Sequence, residues 1–332
     1  VLADQGTLSG YPALVHGEKV EKLVPGSIRL VGLMKAINYA LDLRTQNKFA
    51  RSRTAYYRGK KDQNTPWTTQ AFCDRSFADA AAIFGRPRFA LGITHLSISR
   101  ISGAIRWRCS GRTNSESAEF DQRLVGQYWL TDGALACWTE DNVSCVVVVE
   151  SESMFNELVE EDFAALHNVI LATGLGIPDM ALRAFLHRMT STLGLPVYGF
   201  FDWNPWGLGI ATAYRFGSAN LPEAERYTFP LKYLGLKAED VDAWRVPTQP
   251  LTGGDRNKIA ALLDRAWIAR DPSWSAELRE MHRRGAKCEF EHLCEGVPPG
   301  DGSPVGASTG VGALPNLGLF VAQKLRAAGA IE

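Results

Sequence analysis

The chain has 332 residues, 45% of them hydrophobic and 22% charged, with 36 basic residues set against 36 acidic ones. That length and composition suit a globular protein of one large or two modest domains and exclude a disordered or fibrous chain. A formal net charge of zero excludes a globally basic field, so any case for a nucleic-acid partner has to be local.

The cysteines Cys73, Cys109, Cys137, Cys145, Cys288 and Cys294 form no CxxC pair, which rules out zinc-ribbon and thioredoxin readings and leaves free thiols. No apolar run reaches the roughly 18 residues that span a bilayer, and Val1–Tyr11 lacks the charged-then-apolar layout of a signal peptide. The expectation is a soluble, intracellular protein with no membrane partner.

In chain order, Leu30, Leu33, Ile37 and Leu41 recur at helical spacing and Ser27 can cap the first turn, so a helix is expected over Ser27–Gln46. A basic stretch, Arg51 to Asp62, precedes a helix expected from Thr68 to Phe84, and the alternation of Arg88 to Ile98 reads as a strand. Helices followed by a small hairpin suggest a winged helix-turn-helix. Ser110–Phe120 has the composition of a linker, and a domain boundary is expected between it and Asp141.

Cys145–Val149 is an apolar β-branched run typical of a central parallel strand buried on both faces, and Glu150 ends it. Met154, Phe155, Leu158 and Val159 mark a helix, Val169–Ala172 a strand, and Ala181, Leu182, Phe185, Leu186 and Met189 another helix. Pro196–Phe201 gives a third strand that stops at Asp202. This alternation means a parallel α/β sheet. Gly296–Gly312 reads as a loop before a last helix, Leu317–Ala327.

Ligands of open parallel sheets bind beyond the carboxyl ends of the strands, where Glu150 and Asp202 stand. With Asn204 as a third oxygen they could hold Mg²⁺, a hard cation that keeps several waters. The alternative is that these carboxylates cap neighbouring helices. Trp203 and Trp206 flank Asn204 and are expected to pack beneath the site rather than stack on bases.

A nucleophile candidate is the pair Tyr56–Tyr57, among Arg51, Arg53, Arg58, Lys60 and Lys61. A phenol ionises near pH 10 and needs cationic neighbours or a base to react near neutrality. The same cations would hold a phosphodiester. The plainer alternative is a solvated basic turn with one tyrosine packed in the core. His95, His167 and His187 show no metal spacing, while His282, Arg283, Arg284 and Lys287 either contact phosphates or are simply solvated.

The order of motifs adds a resemblance. Arg53-Thr54-Ala55-Tyr56-Tyr57 is similar to the RDIYY signature of the topoisomerase VI A-subunit family, which includes the eukaryotic proteins that start meiotic recombination. The second tyrosine of that signature is the nucleophile, which places the role on Tyr57, and Gln70 stands where the family has a glutamine. Val147-Val148-Val149-Glu150 looks like the strand that delivers the first acid of a Toprim fold. Thr173 to Arg183 resembles TGKGYPDLATR, Val197 to Ile210 resembles VYGLVDADPYGIxI, and Tyr214 to Ser218 resembles YKYGS. Leu234-Gly235-Leu236, Leu251-Thr252 with Asp255, and Lys287 to Glu291 are similar to the LGL, LTxxD and KxEIE blocks. Four positions depart from the pattern. Thr54 and Asn204 stand where the family has aspartates, Leu175 replaces a lysine, and the lysine of an SKGL turn is out of register, with Arg100 nearby.

The resemblance implies an α/β with α+β chain: an N-terminal extension (1–26), a winged-helix (CAP-like) domain carrying the tyrosine (27–120), a linker (121–140) and a Toprim domain with a parallel sheet (141–332). It implies DNA double-strand breakage by transesterification, giving a 5′-phosphotyrosyl link and initiating meiotic recombination. The alternatives are the A-type component of a type IIB topoisomerase, a Toprim hydrolase or primase-like enzyme, and a non-catalytic DNA-binding relative. Catalytic roles fall on Tyr57, Arg53, Glu150 and Asp202, DNA contacts on Arg58, Lys60, Lys61, Ile177 and Arg183, and Mg²⁺ ligation on Glu150, Asp202 and Asn204. Implied partners are double-stranded DNA, a second copy sharing composite sites, and a topoisomerase VI B-like ATPase/transducer subunit, with the nucleus as the compartment.

Overall fold

The computed structural model describes residues 13–16, 19–22, 24–62, 65–94, 98–103, 105–109, 135–139, 143–217, 227–265, 268, 271–295 and 317–332. They belong to two compact units, one built mainly from Val1–Ser97 and the other mainly from Ala136–Phe216 and Thr228–Glu332.

The first unit opens with an antiparallel hairpin of β1 (Ala13–His16) and β2 (Lys19–Lys22). Helix α1 (Ile28–Thr45) follows, and Ser27 Oγ caps it as expected, accepting from Leu30 N at 3.3 Å. Its buried stripe is Leu33, Ala36, Ala40 and Leu43, whereas Leu41 is exposed, contrary to the sequence reading. Small residues win that face because a second helix lies close. A Cβ on Gly32 would meet Phe72 Cζ and Ser76 Oγ, both at 2.9 Å.

A short strand β3 (Ala50–Arg51) leads into α2 (Ser52–Gly59), and α3 (Gln70–Phe84) is capped by Thr69 and closed by Gly85 at φ 59°. Ala36, Leu43, Ala55, Trp67, Cys73, Phe77 and Ile93 make one core between them. The strand expected over Arg88–Ile98 is mostly not one. Arg88–Leu91 is a turn of 3-10 helix after Pro87, and among the described residues of this stretch only β4 (Ile93–Thr94) pairs, in parallel with β3. Alternating apolar residues also suit such a turn when Phe89 and Leu91 both point inward, and Phe89 stacks on Phe49 at 5.1 Å.

The second unit contains β5 (Arg100–Ser102), β6 (Ile105–Cys109), β7 (Leu135–Thr139), β8 (Cys145–Val149), α4 (Glu152–Glu160), α5 (Phe163–Leu166), β9 (Val169–Thr173), α6 (Met180–Ser191), β10 (Val197–Phe200) and α7 (Pro205–Phe216). It continues with β11 (Leu231–Gly235), α8 (Ala238–Ala243), β12 (Gln249–Pro250), α9 (Gly253–Leu263), α10 (Pro272–Arg284), β13 (Ala286–Lys287) and α11 (Leu317–Ala327). The central sheet runs β11-β10-β8-β9-β5; β8, β9, β10 and β11 are parallel and β5 is antiparallel. Every residue of β8, β9 and β10 is buried, the condition a parallel strand with helices on both faces imposes.

This is the mixed α/β, largely parallel architecture expected from the strand–helix alternation. The linker reading of Ser110–Phe120 and the loop reading of Gly296–Gly312 lie outside the described residues, as does His95. Within the stretch 121–140, the described residues form β7. Cys73, Cys145 and Cys288 are free and buried. Among the described residues no helix is long and apolar enough to cross a membrane.

Candidate active site

Strands β8 and β10 lie side by side with Val149 opposite Phe200, so the acids that follow them emerge together at one end of the sheet. Asp202 N donates to Glu150 Oε2 at 3.0 Å, Phe290 N donates to Asp202 Oδ1 at 3.0 Å, and Asn204 Nδ2 donates to Asp202 Oδ2 at 3.3 Å. Gly207 is required here, since a Cβ would lie 2.6 Å from Asp202 O and 2.9 Å from Glu150 Oε2. Its absence lets the first turn of α7 descend onto the pair.

Burial pushes the Glu150 carboxyl up to about 6, with the charges of Glu291 and Glu289 adding to it and the Asp202 N–H opposing. Asp202 is raised well above the usual carboxylate range, first by burial and then by the charge of Glu150. Among the described residues neither acid is paired with a lysine or arginine. Two such carboxylates in a poorly solvated place suit a cation that neutralises them. No group of three or more His, Cys, Asp or Glu side chains poised to hold a metal occurs among the described residues. A two-carboxylate site fits Mg²⁺ better than metals demanding a full protein cage.

Asn204 does something the sequence reading did not include. Its Oδ1 accepts from Trp206 N at 2.9 Å and Gly207 N at 2.7 Å, so it is the N-cap of α7, and its Nδ2 steadies Asp202. Both lone pairs of that oxygen are engaged. Trp203 is fully buried, with Nε1 donating to Glu277 Oε2 at 2.9 Å. Trp206 does not pack beneath: it is 54% exposed.

The loop after β9 wraps the Glu150 carbonyl, which accepts from Gly176 N at 2.9 Å and Thr173 Oγ1 at 3.2 Å. Leu175, in place of the family lysine, takes a left-handed φ of 52°, and Gly174 N donates to Tyr214 Oη at 2.8 Å. Ile177, expected to touch DNA, is exposed on this loop. Arg183 corrects the sequence reading. It is wholly buried on α6, donates from Nη1 to Ala213 O at 2.5 Å, and is pulled down to about 10 by burial, so it presents no surface to DNA. A helix periodicity alone cannot reveal that an arginine faces inward.

The tyrosines lie on α2 of the first unit. Tyr56 Oη donates to Thr68 O at 3.3 Å and its ring packs against the core, whereas Tyr57 is 52% exposed. One turn before it, the Arg53 guanidinium lies 5.7 Å from the ring centroid. The neighbouring guanidinium holds the Tyr57 phenol below its ordinary pKa, with Lys60 adding to the effect. Arg58, Lys60 and Lys61 are all exposed, while Gln70 Nε2 turns to Asp74 Oδ1 at 3.0 Å. The structure thus brings Arg53 to Tyr57, and Glu150 to Asp202 and Asn204. Glu289, Glu291 and the Phe290 N–H bear on the acid pair without any local sequence signal beyond the resemblance of their block.

Residues 145–297 match the family model for the Toprim domain of Spo11 and the topoisomerase 6 A-subunit. Over 285 residues the chain is 30% identical to meiotic recombination protein SPO11-1 of Arabidopsis thaliana, spanning 82% of this chain and 75% of that one. It is 25% identical over 289 residues to meiotic recombination protein SPO11 of Mus musculus, spanning 83% and 69%. It is 27% identical over 275 residues to the A-subunit of type 2 DNA topoisomerase 6 from Aeropyrum pernix, spanning 75% and 69%.

Proposed function

The chain belongs to the family of Spo11 and the topoisomerase 6 A-subunit, and we propose that it breaks both strands of DNA by tyrosine transesterification, initiating meiotic recombination. The observation that carries this reading is Tyr57, an exposed phenol with a guanidinium on it, beside a tyrosine that is anchored and half-buried. Tyr57 Oη attacks a backbone phosphorus, the bond from phosphorus to O3′ breaks, and the phenolic proton is lost as the departing O3′ gains one. The products are a 5′-phosphotyrosyl link and a free 3′-hydroxyl. Arg53 favours the phenolate, and Arg58, Lys60 and Lys61 line the DNA path with Ile177.

In this reading residues 27–120 form a winged-helix (CAP-like) domain, 121–140 a linker and 141–332 a Toprim domain. Glu150 and Asp202 hold Mg²⁺, which would supply positive charge to the phosphate and the leaving oxygen. Asn204 acts beside them by fixing α7 and the carboxylate of Asp202. Two copies pair, the tyrosine of one working with the acids of the other, so that each composite site cuts one strand. A nuclear location follows from a chromosomal substrate. The Aeropyrum pernix relative is named as the A-type component of its topoisomerase, which supports a B-like ATPase/transducer partner and keeps a topoisomerase role for this chain as the second reading.

The test is incubation of the chain with duplex DNA and Mg²⁺, with and without a candidate B-like partner, followed by denaturation. A protein-linked 5′ end is expected. Strand breaks with free 5′-phosphates would indicate a hydrolase instead, and DNA binding without breaks a non-catalytic relative.

A further inference from the structure

Trp206 is unused in the reaction just described. It is the second residue of α7, its N–H is bonded to Asn204 Oδ1, and the next residue, Gly207, packs against the Glu150 carboxylate. Trp206 is therefore the sequence neighbour of the glycine that packs on the acid pair. It is 54% exposed, whereas Trp203 is fully buried. Leaving so large an aromatic in water forgoes burial that would stabilise the fold.

The ring is nevertheless held firmly. Its Nε1 donates to Asp255 Oδ1 at 3.1 Å. Asp255 is itself buried, and its Oδ2 takes Thr252 N at 2.9 Å, Thr252 Oγ1 at 2.8 Å and Lys287 Nζ at 2.9 Å. The Lys258 ammonium lies 4.8 Å from the centroid of the indole. A fixed apolar plate with a cation on it thus stands on the first turn of α7, the turn that begins at the acids.

From this arrangement we propose that Trp206 and Lys258 grip the DNA backbone beside the phosphate held at Glu150 and Asp202, the indole packing on a deoxyribose and Lys258 meeting the flanking phosphate. The inference rests on the proposed reading of the acid pair as the metal site of a DNA-cutting protein. An apolar plate carrying a cation, on the helix turn that begins at a phosphate site, offers the two kinds of surface that alternate along a strand, sugar and phosphate. Because Nε1 is committed to Asp255, the indole has no donor left to read a base edge. The grip is therefore indifferent to sequence.

The experiment measures duplex binding in Mg²⁺ across a salt series, in the full chain carrying Tyr57→Phe so that no cutting intervenes. Adding Trp206→Ala is expected to weaken binding roughly tenfold with the salt slope unchanged. Trp206→Phe should recover most of the loss, and Lys258→Gln should lower the slope by about 0.9. Trp206→Ala that binds as tightly as its parent overturns the proposal, as does a change in oligomeric mass with affinity unaltered, which would make the indole a contact between copies. If Trp206→Ala does not fold, Lys258→Gln decides, and an unchanged slope overturns the proposal. A parent that binds no duplex sinks the reading of the whole site, whereas a binding parent matched by Trp206→Ala removes this inference alone.

Discussion

Arg53 lies one helical turn before Tyr57 with its guanidinium 5.7 Å from the centroid of the tyrosine ring, and that guanidinium is the largest influence lowering the phenol's pKa. Removing the cation must move the pKa back up. For each unit it rises, the phenolate present near neutrality falls about tenfold. Arg53→Gln should therefore slow formation of the covalent adduct and displace its pH profile to higher pH, while Arg53→Lys restores part of both. A slower reaction with an unmoved profile would limit Arg53 to holding phosphate.

The acid pair has a cost that metal should relieve. Burial raises Glu150 from 4.5 to about 6, so its contribution to folding is complete below pH 4.5 and lost as the pH rises through about 6. The loss is about 2 kcal/mol. At pH 7.5 and without metal, Glu150→Gln should raise the melting midpoint by about 2–4 °C. Mg²⁺ should stabilise the parent above pH 6, much less below pH 5, and the variant hardly at all. Thermal melts across that pH range check all three, and equal Mg²⁺ stabilisation of both proteins would remove Glu150 from the metal site.

Asn204 caps α7 and donates to Asp202, so Asn204→Ala should cost about 1 kcal/mol as a lost cap while leaving measurable Mg²⁺ affinity. Asn204→Asp keeps an acceptor for the cap and adds a negative charge beside the pair. It should melt lower without metal and bind Mg²⁺ more tightly. Calorimetric titration separates the roles: loss of Mg²⁺ binding in Asn204→Ala as complete as in Asp202→Ala would make the amide oxygen a ligand.

The basic residues divide by exposure. Neutralising Arg58, Lys60 or Lys61 singly should lower the salt slope of duplex binding by about 0.9. Arg183→Met should leave the slope alone, since the guanidinium is buried, donates to Ala213 O and presents no surface to DNA. A reduced slope in folded Arg183→Met would place that side chain on DNA after all.

How much of this was legible follows from what local sequence encodes. Ser27 as a cap, the β-branched run of β8, and the acids that end β8 and β10 are local patterns, and the structure has them where the sequence reading put them. The inward turn of Arg183, the outward face of Trp206 and the turn at Arg88–Leu91 depend on what packs against them from distant segments. Asn204 is subtler. A short polar residue three places before Gly207 is a cap signal, and its position beside Asp202 also suits metal ligation, so the sequence alone does not separate the two roles. The roles proposed for Tyr57 and Arg53 rest on the order of motifs rather than on charge, because a basic turn with a packed tyrosine would read the same.

The most direct test of the central claim is the yield of protein-linked 5′ DNA ends from the Tyr57→Phe chain beside the unchanged chain and Tyr56→Phe. Tyr57→Phe removes one exposed oxygen and should abolish the adduct while preserving fold and duplex binding; Tyr56→Phe, which loses only the bond to Thr68 O, should retain most of it. An undiminished adduct in Tyr57→Phe would contradict the account at its centre.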